Sequence, residues 1–184
     1  MEERLKQLLA ERQKIPIENS SRTRAAVLVP LFRKDGEWHL LFIKRTEKVR
    51  VHKGQISFPG GTCEKEDMTF LDAALREANE EIGLKAEDIQ ILGELDDQES
   101  VTTNFLITPF LAVIPYPYSF RLDRHEVQEL LEVPIATLLA QNDQSGEATA
   151  YGKINYTYSC QGKVIWGATA RILRKLLDMM GEVS

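Results

Sequence analysis

Residues 70–81 fix the frame for everything around them. This stretch contains no β-branched residue, no glycine and no proline, so a helix is its natural state. Thr69 suits the N-cap, with Asp72 three residues on as its partner in a capping box. Gly83 suits a left-handed C-terminal cap. The helix of about residues 69–82 then sets Glu77, Glu80 and Glu81 at i, i+3 and i+4, on one face. Like charges at that spacing repel, and the C-terminal half of a helix disfavours anions. Leu71, Ala74, Leu75, Ala78 and Ile82 offer the opposite face to a core. Two readings of the acidic face stand side by side. One is a solvated surface; the other is a set of oxygen ligands for a hard divalent cation such as Mg²⁺ or Mn²⁺.

The charge pattern around this helix is lopsided. Net charge is −5 over 184 residues. Residues 64–99 nevertheless hold thirteen acidic residues against three basic ones, Lys65, Arg76 and Lys85. Immediately upstream, Lys44, Arg45, Lys48, Arg50 and Lys53 surround a lone acid, Glu47. Solvated faces account for this pattern, and so does a metal cluster beside a cationic dock for an anionic substrate. The mild overall charge argues against a nucleic-acid partner. No apolar run reaches the ~20 residues of a membrane span, and the charged N-terminus lacks an apolar signal core. Cys63 and Cys160 have neither zinc-type spacing nor a disulfide framework, so a reducing cytoplasm is the expected setting.

The remaining elements read as follows. Residues 2–14 form an amphipathic helix ended by Pro16, with Leu5, Leu8 and Leu9 on one stripe. Residues 1–18 are therefore set apart as a helical extension before one domain over 19–184. The leucine stripe fits its own domain or a partner, which leaves a homodimer open. Residues 25–32 and 38–43 are strands joined at Asp35-Gly36, and Pro30 marks the first as an edge or a bulge. Residues 49–63 are a loop with Gly54, Pro59, Gly60 and Gly61. Strands follow at 89–95 and 107–114, then a polar loop at 141–150. A hairpin turns at Gln161-Gly162, and a closing helix spans 168–180. Gaps between strands are often too short for helical crossovers. A mixed α/β or α+β sandwich is expected rather than a doubly wound sheet.

Arg76-Glu77-Ala78-Asn79-Glu80-Glu81-Ile82-Gly83-Leu84 resembles the second half of the Nudix box, Arg-Glu-apolar-x-Glu-Glu-x-Gly-apolar, at every position. In the first half, Thr62 and Met68 stand where the common box has Gly and Glu. Gly61 and Asp67 lie one residue earlier, which places Asp67 at the first glutamate's position. Ahead of the box, Leu41, Arg45, Thr46, Arg50, Gly54 and Phe58-Pro59-Gly60-Gly61 are similar to the signature of the coenzyme A pyrophosphatase branch. Phe42, Ile43 and Thr46 depart from it in residue type. Leu95-Asp96-Asp97, Thr108-Pro109-Phe110 and residues 165–171 also look like that branch, so the resemblance spans about 25–175.

The resemblance implies a Nudix α/β/α sandwich with a mixed β-sheet between helices. It implies metal-dependent cleavage of the diphosphate of coenzyme A or a derivative, giving phosphopantetheine and adenosine 3′,5′-bisphosphate. Clustered carboxylates suit that reaction, and no Gly-x4-Gly-Lys-Ser/Thr phosphate loop is present. Carried over residue by residue, Glu77 and Glu81 would be the primary metal ligands. Glu80 would be a third ligand or the base. Gly61 would offer a carbonyl, and Arg76 would hold a box glutamate through a bidentate pair. Glu126, downstream in the chain, would be a further ligand or base. Arg45, Arg50, Gly54, Phe58 and Gly60 would bind substrate, the arginines and Lys53 on its phosphates. Tyr116, Tyr118 and Phe120 fit adenine stacking or plain packing. Other substrates (ADP-ribose, a dinucleotide, a nucleoside triphosphate) and a non-catalytic nucleotide-binding module are the competing readings.

Overall fold

Two consecutive apolar strands decide the architecture. Continuous apolar runs such as residues 25–32 and 40–43 suit a sheet buried on both faces, and the computed structural model shows such a sheet. It describes residues 1–17, 21–47, 53–100, 103–142, 147–148 and 154–183. In chain order the elements are α1 (Glu2–Glu11), β1 (Thr23–Lys34), β2 (Glu37–Arg45), β3 (Ile56–Ser57), β4 (Gly60–Thr62), α2 (Phe70–Ile82), β5 (Gln90–Glu94), β6 (Gln98–Glu99) and β7 (Phe105–Val113). They continue with β8 (Val127–Pro134), α3 (Ile135–Leu139), β9 (Glu147–Ala148), β10 (Ile154–Asn155), β11 (Tyr158–Cys160), β12 (Lys163–Ile165) and α4 (Gly167–Val183).

Strands β1–β8 form one mixed sheet around the order β3-β2-β1-β7-β5. β1 runs parallel to β7, from Thr23↔Phe105 to Leu31↔Val113. It meets β2 antiparallel across the Asp35-Gly36 turn, where both residues have positive φ (49° and 84°), as a two-residue hairpin requires. The period of two sorts the side chains. Val29, Leu31, Leu40, Phe42 and Leu111 enter the core shared with α1, α3 and α4. Ala26, Leu28, Phe32, Leu41, Ile43 and Ala112 enter the core shared with α2. The result is an α/β/α sandwich.

The two central strands part beyond Leu31↔Leu40. β4 then pairs with β1 at residues 25–27, and β3 pairs with β2 at 43–44. This wedge corrects two expectations. Residues 56–57 and 60–62 are short strands rather than loop. Pro30 lies in a central strand, not at an edge. Leu28 N–H donates to the Pro59 carbonyl on the β4 side. Pro30 nitrogen, two residues on, faces the same way, into the gap between the two ladders, where no donor is needed.

The capping box on α2 forms as expected, with Thr69 and Asp72 bonded reciprocally and Gly83 at φ 70°. α1 packs on its own fold. Leu5 and Leu9 are buried in the α4 core, and Arg12 and Lys14 pair with Asp96, Glu94 and Asp97. β8 and α3 complete the edge beyond β2. Among the described residues, no helix is long and apolar enough to cross a membrane.

Candidate metal and substrate site

The acidic face of α2 ends in a cavity of about 510 Å³, lined by Glu77, Glu80, Glu81, Glu126, Arg121 and Asp123 among others. Glu126 lies 45 residues beyond Glu81 in sequence, yet the fold delivers it to the same place. The chain after Pro117 wraps the C-terminus of α2. Arg121 N–H donates to the Ile82 carbonyl and Asp123 N–H to the Glu81 carbonyl, both at 2.9 Å. Gly83 permits that approach, since a Cβ there would lie 3.0 Å from Arg121. β2 anchors the other side. Thr46 N–H donates to the Glu126 carbonyl (2.8 Å) and Thr46 Oγ1 to the His125 carbonyl (2.7 Å).

Glu81 is 2% exposed. Its Oε1 accepts from Arg45 Nη1 and its Oε2 from Gly60 N–H, each at 2.9 Å. Burial nevertheless pushes its pKa up to about 7, against Arg45 and Gly60, with Glu77 and Glu126 adding repulsion. Burial likewise raises Glu77, against the pull of Arg76. Both carboxylates are therefore harder to ionise than a free glutamate. Glu80 and Glu126 are far more open.

Arg76 makes a bidentate pair, but with Asp67 (3.1 and 3.0 Å) rather than with a helix glutamate. Its Nη1 also reaches Glu77 (3.0 Å) and Glu80 (3.3 Å), and its Nη2 donates to the Thr62 carbonyl. It thereby ties α2 to the loop after β4. Asp67 is held below the usual carboxylate range by this pairing, so its structural part is to orient Arg76.

The expected substrate residues divide. Arg45 bridges Glu81 and Glu126 (2.9 and 3.1 Å), which commits its guanidinium to carboxylates. Phe58 is 1% exposed and stacked on Phe42 at 4.7 Å between centroids, and it also lines the second cleft described below. Gly60, at φ 151°, presses against β1; a Cβ would fall 2.3 Å from the Ala26 carbonyl oxygen. Its N–H serves Glu81. Gly61 lies against Glu77, with 2.5 Å from a Cβ to the carboxylate. Gly54 turns at φ 64° beside the Glu47 side chain. Arg50 and Lys48 lie outside the described residues, as does His52. Lys53 is exposed. Tyr116 stacks on Phe32, and Tyr118 meets Phe120 at a tilt, both as ring packing. Arg121 and Asp123 carried no signal in the sequence; only the wrapping of α2 brings them in.

Among the described residues, no three carboxylate, imidazole or thiol groups converge as a ready metal-ligand set. Arg45 and Arg76 stand among the glutamates instead. The donor chemistry still fits a hard divalent cation: four glutamates and Asp123 line one cavity with Arg121, and burial raises the pKa of both Glu77 and Glu81, a cost that a cation would offset. A second cleft, of about 660 Å³, shares Glu77, Glu80 and Glu126 and runs past β1 and β7 to the start of α4.

The fold is an α/β/α sandwich in which the glutamate-bearing helix α2 packs against β4 and β1. The NUDIX domain pattern matches residues 22–151, and the chain belongs to the Nudix family. It is 34% identical over 164 residues to an Enterobacter sp. (strain 638) protein named "Uncharacterized Nudix hydrolase NudL", covering 88% of this chain and 84% of that one. A protein of the same name from Yersinia enterocolitica is 34% identical over 159 residues, covering 85% and 80%. Among solved structures, the Mycobacterium smegmatis (M. Smegmatis) Nudix hydrolase RenU superposes with a TM-score of 0.61 at 19% identity, covering 89% of this chain and 88% of that one. The C. elegans Ap4A hydrolase binary complex gives 0.57 at 20%, covering 87% and 98%. These likenesses establish the fold.

Proposed function

We propose that this Nudix hydrolase cleaves the diphosphate of coenzyme A or a derivative, with Mg²⁺ or Mn²⁺, to phosphopantetheine and adenosine 3′,5′-bisphosphate. The observation that carries the hydrolytic reading is the meeting of Glu77, Glu80, Glu81 and Glu126 on one cavity. The substrate reading rests on the Arg45-to-Gly61 signature. Glu77 and Glu81 would hold the metal, with Glu80, Glu126 and the Gly61 carbonyl as further donors. When bound, the ion would neutralise the diphosphate and activate water.

The chain's own residues prepare that site. Gly60 N–H and Arg45 fix the rotamer of Glu81. Arg76 orients Glu77 and Glu80 from the loop side. Glu80 and Glu126, the open carboxylates, are the ones placed to take a proton from water. Arg45, which bridges Glu81 and Glu126, would be free to meet a substrate phosphate where those two carboxylates held a cation. Arg50 remains a candidate for the same phosphates.

The test is product analysis after incubation with coenzyme A, ADP-ribose and a nucleoside triphosphate, each with Mg²⁺ or Mn²⁺ and with chelator. Fastest release of adenosine 3′,5′-bisphosphate from coenzyme A, only with metal, is the expected result. Preferred cleavage of ADP-ribose would overturn the substrate assignment and keep the site. No cleavage of any of the three would overturn both.

A further inference from the structure

The cleft that leaves the glutamates ends at α4, where no role has been assigned. α4 runs for 17 residues and has no acidic residue in its first turn. Its first residues, Gly167, Ala168 and Thr169, line the cleft. Gly167 has φ 69°, and nothing lies within 4 Å of where its Cβ would be. The positive end of the helix dipole thus faces the cleft.

A second observation points to an anion at the same place. Arg171 lines the cleft from the next turn and is 9% exposed. Its Nη2 donates to the Glu99 carbonyl at 2.6 Å, while Nη1 is buried with no hydrogen-bond partner. The nearest acid that acts on it, Glu99, is itself paired with Arg22 at 3.2 Å. A buried guanidinium left short of acceptors is costly, and a phosphate oxygen would supply one. Burial accordingly eases its proton's departure relative to a free arginine. Beside it, Trp166 is 44% exposed on the cleft rim, and Val27, Phe105 and Ile107 form an apolar wall. A flat ring and an apolar wall next to an anion subsite suit a phosphorylated nucleoside.

We infer that the N-terminus of α4, with Thr169 and Arg171, is a phosphomonoester subsite that holds the nucleoside end of the substrate while the diphosphate lies at the glutamates. The inference deepens the coenzyme A reading and rests on it. It assigns the ribose 3′-phosphate to α4 rather than to Arg45, which faces Glu81 and Glu126.

Two measurements separate its fate from that of the parent reading. The first is direct binding of adenosine 3′,5′-bisphosphate and of adenosine 5′-monophosphate, followed by tryptophan fluorescence. The wild type should bind the bisphosphate about tenfold more tightly, and Arg171→Met should remove that difference. The second is kcat/KM for coenzyme A and for its 3′-dephospho form. Arg171→Met should lower the first about tenfold and leave the second within about twofold. Because Arg171 is buried, Thr169→Val serves as a milder variant at a half-buried position. It should shift the same ratio in the same direction, with an unchanged melting temperature. Equal losses on both substrates, or no change in the binding difference, would overturn the inference while cleavage of coenzyme A stood. A binding difference lost in Arg171→Met, in a protein that does not cleave coenzyme A, would uphold the subsite and overturn the parent reading.

Discussion

Replacing Glu81 by Gln should make the metal-free protein more stable at alkaline pH while abolishing its turnover. Glu81 is 2% exposed, and its pKa rises from 4.5 to about 7 in the fold. The folded state therefore holds this proton more tightly than the unfolded chain does. The penalty for ionising it is absent below about pH 4.5, grows as the pH climbs, and is complete above about pH 7. At about 1.4 kcal/mol per pH unit, the full cost is about 3 kcal/mol. Glutamine mimics the protonated acid: its carbonyl can still accept from Gly60 N–H, and Arg45 keeps Glu126. In chelator, urea unfolding of the two proteins should thus give nearly equal stabilities at about pH 4.5, and a gap of about 3 kcal/mol favouring the variant at about pH 8. Added Mg²⁺ or Mn²⁺ should close the gap by stabilising the wild type alone. A variant no more stable than wild type at the higher pH, or a gap independent of pH, would refute the burial argument. Unchanged turnover would refute the assignment of Glu81 to the metal.

Three further outcomes follow from the geometry. Gly60→Ala and Gly61→Ala should part company in a thermal melt with a parallel activity assay. The first drives a Cβ to 2.3 Å from a backbone oxygen and should lower stability by more than about 3 kcal/mol; the second meets only the movable Glu77 carboxylate and should lose activity with a smaller loss of stability. Arg76→Lys cannot reproduce the fork onto Asp67 and should cut kcat at least about tenfold, measured at saturating substrate. Leu5→Ala, at a fully buried position against α4, should cost about 2–5 kcal/mol in urea unfolding, since α1 belongs to the core; a loss under about 0.5 kcal/mol would show that α1 is a loose appendage.

Much of the fold was legible because it is written in local chemistry. Thr69, Asp72 and Gly83 delimit α2 through their own backbone bonds, and Asp35-Gly36 and Gln161-Gly162 take the positive φ that tight turns need. The alternation in residues 26–32 and 40–43 sorts side chains to two cores once the sheet exists. The wedge between β1 and β2 was not legible. β3 and β4 are two and three residues long, too short for any period to show, and they exist only because the long strands diverge beside them. Pro30 misled for the same reason. A proline in a strand signals a missing ladder bond, and the sequence cannot distinguish a sheet's outer edge from a gap within it.

The site divides along the same line. Glu77, Glu80 and Glu81 come together through helical spacing alone, so the sequence places them on one face without any tertiary knowledge. Their neighbours depend on pairing between distant segments. The β2–β8 ladder pairs Arg45 with Val127 and so brings Glu126 to its guanidinium, while the Asp123 N–H bond to the Glu81 carbonyl ties the same segment to the end of α2. Arg45 carries a basic charge in a basic run, so sequence chemistry sends it to phosphate. Burial of Glu81 instead creates a local demand for positive charge that the nearest arginine meets. Those two accounts become one if Arg45 is exchanged between partners: it neutralises Glu81 and Glu126 until cation and substrate arrive together. Arg45→Met should then raise the pKa of Glu81 above about 7 in chelator and weaken substrate binding with metal present. Loss of the second effect alone would leave Arg45 as a prop for Glu81, and loss of the first would mean that burial by the fold, without Arg45, already fixes the acid.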